Sequence, residues 1–116
     1  MYLDRVFVRV NGEQLKAVLT AIASKLEGFS SDDIDQLCAD VAVLEPDDDA
    51  LIEPPISFQG DVLPFVVDVF KDAQGSLEAV FLVPRTLTSL VQDVAGSVVG
   101  TSAVRSIAAD QEAGSE

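Results

Sequence analysis

Acid–base or metal chemistry in this chain would have to come from carboxylates and one thiol. The 116 residues include 20 Asp and Glu, a single cysteine at Cys38, and no histidine. Without histidine, the commonest general base and the commonest metal ligand are missing. Cys38 has no imidazole to activate it, and it falls on an apolar helical stripe with Ile34, Leu37 and Val41, which marks it as a buried core thiol. Zinc needs clustered Cys and His that this sequence does not contain. The run Asp47-Asp48-Asp49 could hold Ca²⁺ or Mg²⁺. A calcium loop begun at Asp47, however, would place Ile52 and Phe58 where its glycine and glutamate belong. No GxSxG, P-loop or GxGxxG motif is present. Carboxylates alone can hydrolyse glycosides or hold catalytic metals. Here nearly all of them fall at caps, loops and solvent-facing helix positions, so the expectation is no enzyme, no metal and no cofactor.

Charge is the stronger signal. Seven Lys and Arg against 20 acids leave a net −13, which disfavours direct contact with nucleic-acid phosphates. The charge is uneven. No Lys or Arg occurs between Lys25 and Lys71, while that interval holds twelve acids, and the rest of the chain is nearly neutral. Such concentration costs stability by self-repulsion, and Asp40 and Glu45 would sit near the negative end of a helix dipole. A surface needing only solubility could interleave lysines. The pattern therefore points to an acidic surface for a basic protein partner, with Asp32, Asp33, Asp35, Asp40, Asp47, Asp48, Asp49 and Glu53 as candidate partner-binding residues. Arg5 and Arg9 share a strand face with Phe7, which reads as a half-exposed face pairing with local acids or as one partner contact.

The elements that must position these residues follow from periodicity. Residues 2–10 alternate as a strand, with Val6, Val8 and Val10 on one side and Arg5, Phe7 and Arg9 on the other. Asn11 and Gln14 form a capping box for a helix whose buried face is Leu15, Val18, Leu19, Ile22 and Leu26, ended by Gly28 as a left-handed cap. A second helix over 32–40 starts from Ser30 or Ser31. Leu37, Ala39, Val41 and Val43 also alternate, so 41–44 is open between helix and strand. Residues 45–61 read as a loop, with a short edge strand around 56–58. Val62–Phe70 and Leu77–Val83 form a hairpin turning at Asp72–Gly75, with both faces largely covered. Thr86 caps a third helix with the stripe Leu87, Leu90, Val91, Val94 and Val98. Gly96 and Gly100 on it allow close backbone packing, or self-association as a homodimer. After a break near 100–102, Val104, Ile107 and Ala108 suggest a short final helical segment, and 110–116 a disordered acidic tail. The fold class is α+β, one domain over 1–109. Its order is β-α-α-(loop)-β-β-α, with an antiparallel hairpin and helices packed on one sheet face.

Asn11-Gly12-Glu13-Gln14-Leu15 ahead of a helix, then Asp35-Gln36-Leu37-Cys38, resembles the opening of the barstar family of acidic ribonuclease inhibitors. The resemblance lacks that family's aromatic and Gly-Asn signature between the helices, and the hairpin followed by a helix departs from its ending. It implies an inhibitor and carries no residue roles across. Two function classes follow. One is an acidic binding protein that engages and inhibits a basic partner, of the inhibitor, immunity or DNA-mimic type. The other is a homo-oligomeric adaptor or chaperone, such as a phage or secretion component, with acid as a solubility device. Halophilic adaptation would spread acids over every surface instead. One cysteine allows no intrachain disulfide, residues 1–5 do not open a signal peptide, and no apolar run approaches the ~20 residues of a membrane span. The expected location is cytoplasmic.

Overall fold

A computed structural model describes residues 3–107. The expected tail at 110–116 lies outside the described residues. Strand β1 (Asp4–Val10) leads into helix α1 (Gly12–Ala23) and helix α2 (Ser31–Ala42). Five strands follow: β2 (Asp48–Ile52), β3 (Ile56–Phe58), β4 (Asp61–Leu63), β5 (Val66–Lys71) and β6 (Leu77–Val83). Helix α3 (Arg85–Val99), one 3₁₀ turn (Thr101–Ala103) and strand β7 (Val104–Ile107) complete the chain. The main sheet is antiparallel, in the order β2-β5-β6-β1-β7, and β3 and β4 form a separate hairpin. This is a single α+β domain with its helices on one sheet face.

The pleat sorts the side chains. Val6 pairs with Phe81 and Val8 with Ala79, and these in turn stand beside Val67 and Val69 of β5. All six are fully buried against Leu15, Val18, Leu19, Ile22, Leu37, Leu87 and Val91 from the three helices. Burying a Val, Leu or Phe contributes roughly 1.5–3 kcal/mol each, so this layer dominates stability. Both predicted capping devices hold locally. Asn11 Oδ1 accepts from the Gln14 N–H at 2.8 Å while Gln14 Oε1 accepts from the Asn11 N–H at 3.0 Å. Ser30 and Asp33 repeat the reciprocal pair on α2.

Several expectations are corrected. The long loop at 45–61 contains an edge strand, β2, because the outer edge of β5 would otherwise expose its backbone hydrogen-bonding groups. The final segment is a strand and not a helix, for the same reason on the outer edge of β1. The open question at 41–44 resolves as helix through Ala42. Pro64 and Phe65 break the predicted strand 62–70 into β4 and β5, and the Phe65 ring turns inward, 5.7 Å from Phe29 and 6.2 Å from Phe81. Thr86 does not cap α3. Pro84 takes the cap position without a side-chain bond. The first turn is held instead by buried Asp4, which accepts from Arg85 Nε at 3.0 Å and Thr88 Oγ1 at 2.7 Å.

Helix α1 stops at Ala23, earlier than the apolar stripe suggested, and Leu26 stays buried in the turn that follows. Gly28 does take a left-handed conformation, φ +93°, but its role is to let two chain segments touch. Flanking it, Glu27 and Ser57 exchange backbone hydrogen bonds at 2.9 and 2.8 Å, which pins the β3–β4 hairpin under the domain. A Cβ at Gly28 would overlap the Pro55 carbonyl. Gly28→Ala is therefore expected to cost about 2 kcal/mol or more in urea unfolding. Gly60→Ala, at φ +85° with open space around it, should cost only about 1 kcal/mol.

Candidate functional site

The eight candidate acids do not form one cluster. Asp32, Asp35 and Asp40 are all exposed on α2, but Asp35 and Asp40, five residues apart, lie about 140° apart around the helix and do not share one flank. Gln36 Nε2 donates to Asp40 Oδ1 at 3.0 Å and holds that carboxylate on the helix surface. Asp35 lies 3.7 Å from Lys16 of α1, a pair so exposed that its attraction is worth little. Asp33 is occupied by its cap. Past α2, Val43 is 80% exposed, and Glu45, Asp47 and Asp48 continue the acidic edge into β2. Glu53 sits beyond the far end of β2, away from that turn. Asp32, Asp40, Asp47 and Asp48 are thus exposed along α2 and the turn after it, while Asp35 is turned toward Lys16 of α1.

One base reaches the end of α2 from elsewhere in the chain. Lys71 Nζ donates to the Leu44 carbonyl at 2.9 Å, and the Asp47 N–H donates to the Lys71 carbonyl at 2.8 Å. A cation at that end relieves the dipole that Asp40 and Glu45 oppose. Asp47 adopts a left-handed φ of 65°, which aspartate tolerates, so the chain can turn sharply into β2.

Asp49 leaves this flank. The pleat of β2 sends it to the opposite face of the sheet, where it meets two acids outside the candidate set, Asp68 and Glu78. Asp49 pairs with Phe70, Phe70 with Glu78, and Glu78 with Arg9. In the next row Leu51 pairs with Asp68, Asp68 with Val80, Val80 with Phe7, and Phe7 with Arg105. Asp47, Asp48, Asp49, Asp68, Phe70, Glu78 and Val80 line a shallow groove of about 370 Å³. The signal in the sequence was two acids inside an otherwise apolar hairpin. Without the register, nothing placed them beside Asp49.

No helix covers this second face among the described residues, so the hairpin's faces are not both covered. Asp68 Oδ1 is shut off from solvent and has no hydrogen-bond partner among the described residues. Burial first, then a side-chain hydrogen bond with Asp49 and the charge of that carboxylate, push the Asp68 pKa up to about 6. Cys38 is half-buried and not fully enclosed. It lines a broad, mostly apolar groove with Lys16, Ala17 and Thr20 of α1, where Gly12, Ala17 and Ala21 leave room beside it. Burial raises its thiol pKa, which keeps it protonated and a poor nucleophile.

Gly96 and Gly100 have local structural roles. Gly96 lets Thr101 fold back, its Cβ position lying 3.4 Å from Thr101 Cγ2, and Gly100 ends α3 at φ +91°. Among the described residues, no three Asp, Glu or Cys side chains are grouped to hold a metal ion, and no helix is long and apolar enough to cross a membrane. Comparison with known protein families, with curated proteins and with solved structures found no match.

Asp68 yields a signed pH prediction. Its folded pKa lies above the ordinary 3.8, so folding favours its protonated form. The stability it contributes is full below about pH 4 and lost as pH rises through about 6. Asp68→Asn keeps a donor for Asp49 without the ionisation. In dilute protein it should raise unfolding free energy near pH 7.5 by about 1 kcal/mol, the shift being discounted for partial exposure. The gain should vanish by about pH 4. Unfolding curves for both proteins across this range check the sign.

Proposed function

We propose that this chain is a non-enzymatic binding protein whose acidic α2 flank engages, and thereby inhibits, a basic protein partner. The observation that supports this reading is the make-up of the flank. Asp32, Asp35, Asp40, Asp47 and Asp48 are all exposed along α2 and the turn into β2. The bases that reach this region are Lys16, in an exposed pair, and Lys71, committed to a backbone carbonyl. An acidic surface left this uncompensated raises the encounter rate with a basic patch and rejects acidic competitors. Val43, 80% exposed just after α2, adds apolar area in the chain between Asp40 and Asp47. The absence of histidine and the protonated Cys38 favour binding over catalysis.

The test uses the triple variant Asp40→Asn/Asp47→Asn/Asp48→Asn, which removes charge at exposed positions. Wild-type protein, immobilised at low salt in extract of its own cell, should retain a partner with a basic surface. The affinity for that partner should fall about tenfold or more on going to high salt. The triple variant should lose it even at low salt. Retention that salt and the triple variant both leave unchanged would overturn the proposal.

A further inference from the structure

We propose that Asp49 and Asp68 form a carboxyl–carboxylate pair that latches the edge strand β2 onto β5 in acid and lets it open as the pH rises toward neutral. The strand register creates the pair. Asp49 stands opposite Phe70 and Leu51 opposite Asp68, so the two acids are diagonal neighbours on the helix-free face. They line the same groove, and Asp68 Oδ1 is enclosed there without a hydrogen-bond partner among the described residues. In its acid form Asp68 donates to the Asp49 carboxylate, which ties β2 to β5 beyond the backbone ladder. Once that proton leaves, two neighbouring anions face each other across the ladder, one of them partly cut off from water.

The charges nearest to Asp68 are carboxylates. Beside it on β6 stands Val80, with Glu78 in the next row. Beside it on β2 stands Leu51, with Asp47 and Asp48 at the start of that strand and Glu53 past its end. Arg5 and Arg9 stand two strands away on β1 and Arg105 three strands away on β7, roughly 10 Å or more across the sheet. Salt screens much of their attraction over that separation. Lys71 belongs to β5 itself, but the pleat turns it to the other face, where its ammonium group donates to the Leu44 carbonyl. Among the described residues neither Asp49 nor Asp68 makes an ion pair.

Strand β2 is the element that yields. It has one neighbouring strand and no fully buried residue; Ala50 and Ile52 are half-buried and Leu51 is exposed. Strand β5, by contrast, is fixed in the core by Val67 and Val69. The left-handed Asp47 precedes β2 and Pro54-Pro55 follows it, so the chain turns at both ends. Opening hydrates both carboxylates and gives up one ladder and little apolar area. It also releases the Asp47 N–H from the Lys71 carbonyl, so the acidic turn changes shape with the strand. Asp68 holds its proton up to about pH 6 in the closed strand and loses it near the ordinary 3.8 once the strand opens. The opening constant is therefore flat below about pH 4, rises up to about pH 6 and levels off above.

Hydrogen exchange of the full chain, read by NMR and corrected for the intrinsic rate at each pH, tests the latch without any binding partner. Protection of the Asp47 amide and of the β2 amides bonded to β5 should fall about tenfold or more between about pH 4 and pH 7, through openings that leave the β6 amides protected. The Asp68 carboxyl carbon should titrate near pH 6. Asp68→Asn should flatten the exchange profile, and Asp49→Asn should move the Asp68 titration toward the ordinary carboxylate range. The proposal is overturned by β2 protection that does not change with pH, by β2 amides that exchange only together with β6, by an Asp68 titration that lies in the ordinary range or that Asp49→Asn leaves in place, or by a folded Asp68→Asn protein with the wild-type profile. Exchange and titration of the wild-type protein decide the matter if neither variant folds.

Discussion

The antiparallel register of β1 against β6 is the constraint on which the other arrangements depend. Strand side chains alternate with a period of two, so that pairing decides which residues form the core and which form the outer face. With Val6 opposite Phe81 and Val8 opposite Ala79, the apolar residues of both strands meet three helices. The same register sets Phe7 beside Val80 and Arg9 beside Glu78 on the other side. A slip of one residue would drive two arginines into the helix layer, where an unpaired charge costs several kcal/mol, and that cost holds the register in place.

The acidity of the chain is separated by this geometry into two chemically different regions. Along α2 and the following turn the carboxylates are exposed and mostly uncompensated. On the helix-free face of the sheet, Asp49, Asp68 and Glu78 share the surface with Arg5, Arg9 and Arg105 and interleave with apolar residues, and Asp47 and Asp48 reach the same groove. Lys71 joins the two regions. Its backbone sits in the β2–β5 ladder while its ammonium group ties the end of α2 to the sheet. A helix ending among acids is thus secured by a base nearly thirty residues downstream, at a position where the dipole also favours a cation.

Strand formation at the sheet edges shows how tertiary structure overrules local pattern. Residues Asp48–Ile52 begin with two aspartates and lie between two prolines, a composition that reads as loop. They form a strand because β5 offers an unpaired row of backbone groups, and the acids at that edge discourage further strands from adding. Residues Val104–Ile107 are too short for periodicity to distinguish helix from strand, and the free edge of β1 decides the matter.

Sequence alone determined the α+β class, the first strand with its two faces, the capping box of α1, the serine start of α2, the three helical stripes and the turn of the main hairpin. Each of these depends on residues within one turn or one pleat of each other. It also located the acidic interval, because charge is counted along the chain. Only the tertiary structure decided how that interval divides. Asp33 is occupied by a cap, Glu53 lies at the far end of β2, and Asp49 crosses to the other face to join Asp68 and Glu78. Whether a carboxylate faces water, a helix end or another carboxylate depends on strand register and sheet order. Those are set by the collective burial of the core and not by the residue or its neighbours in sequence.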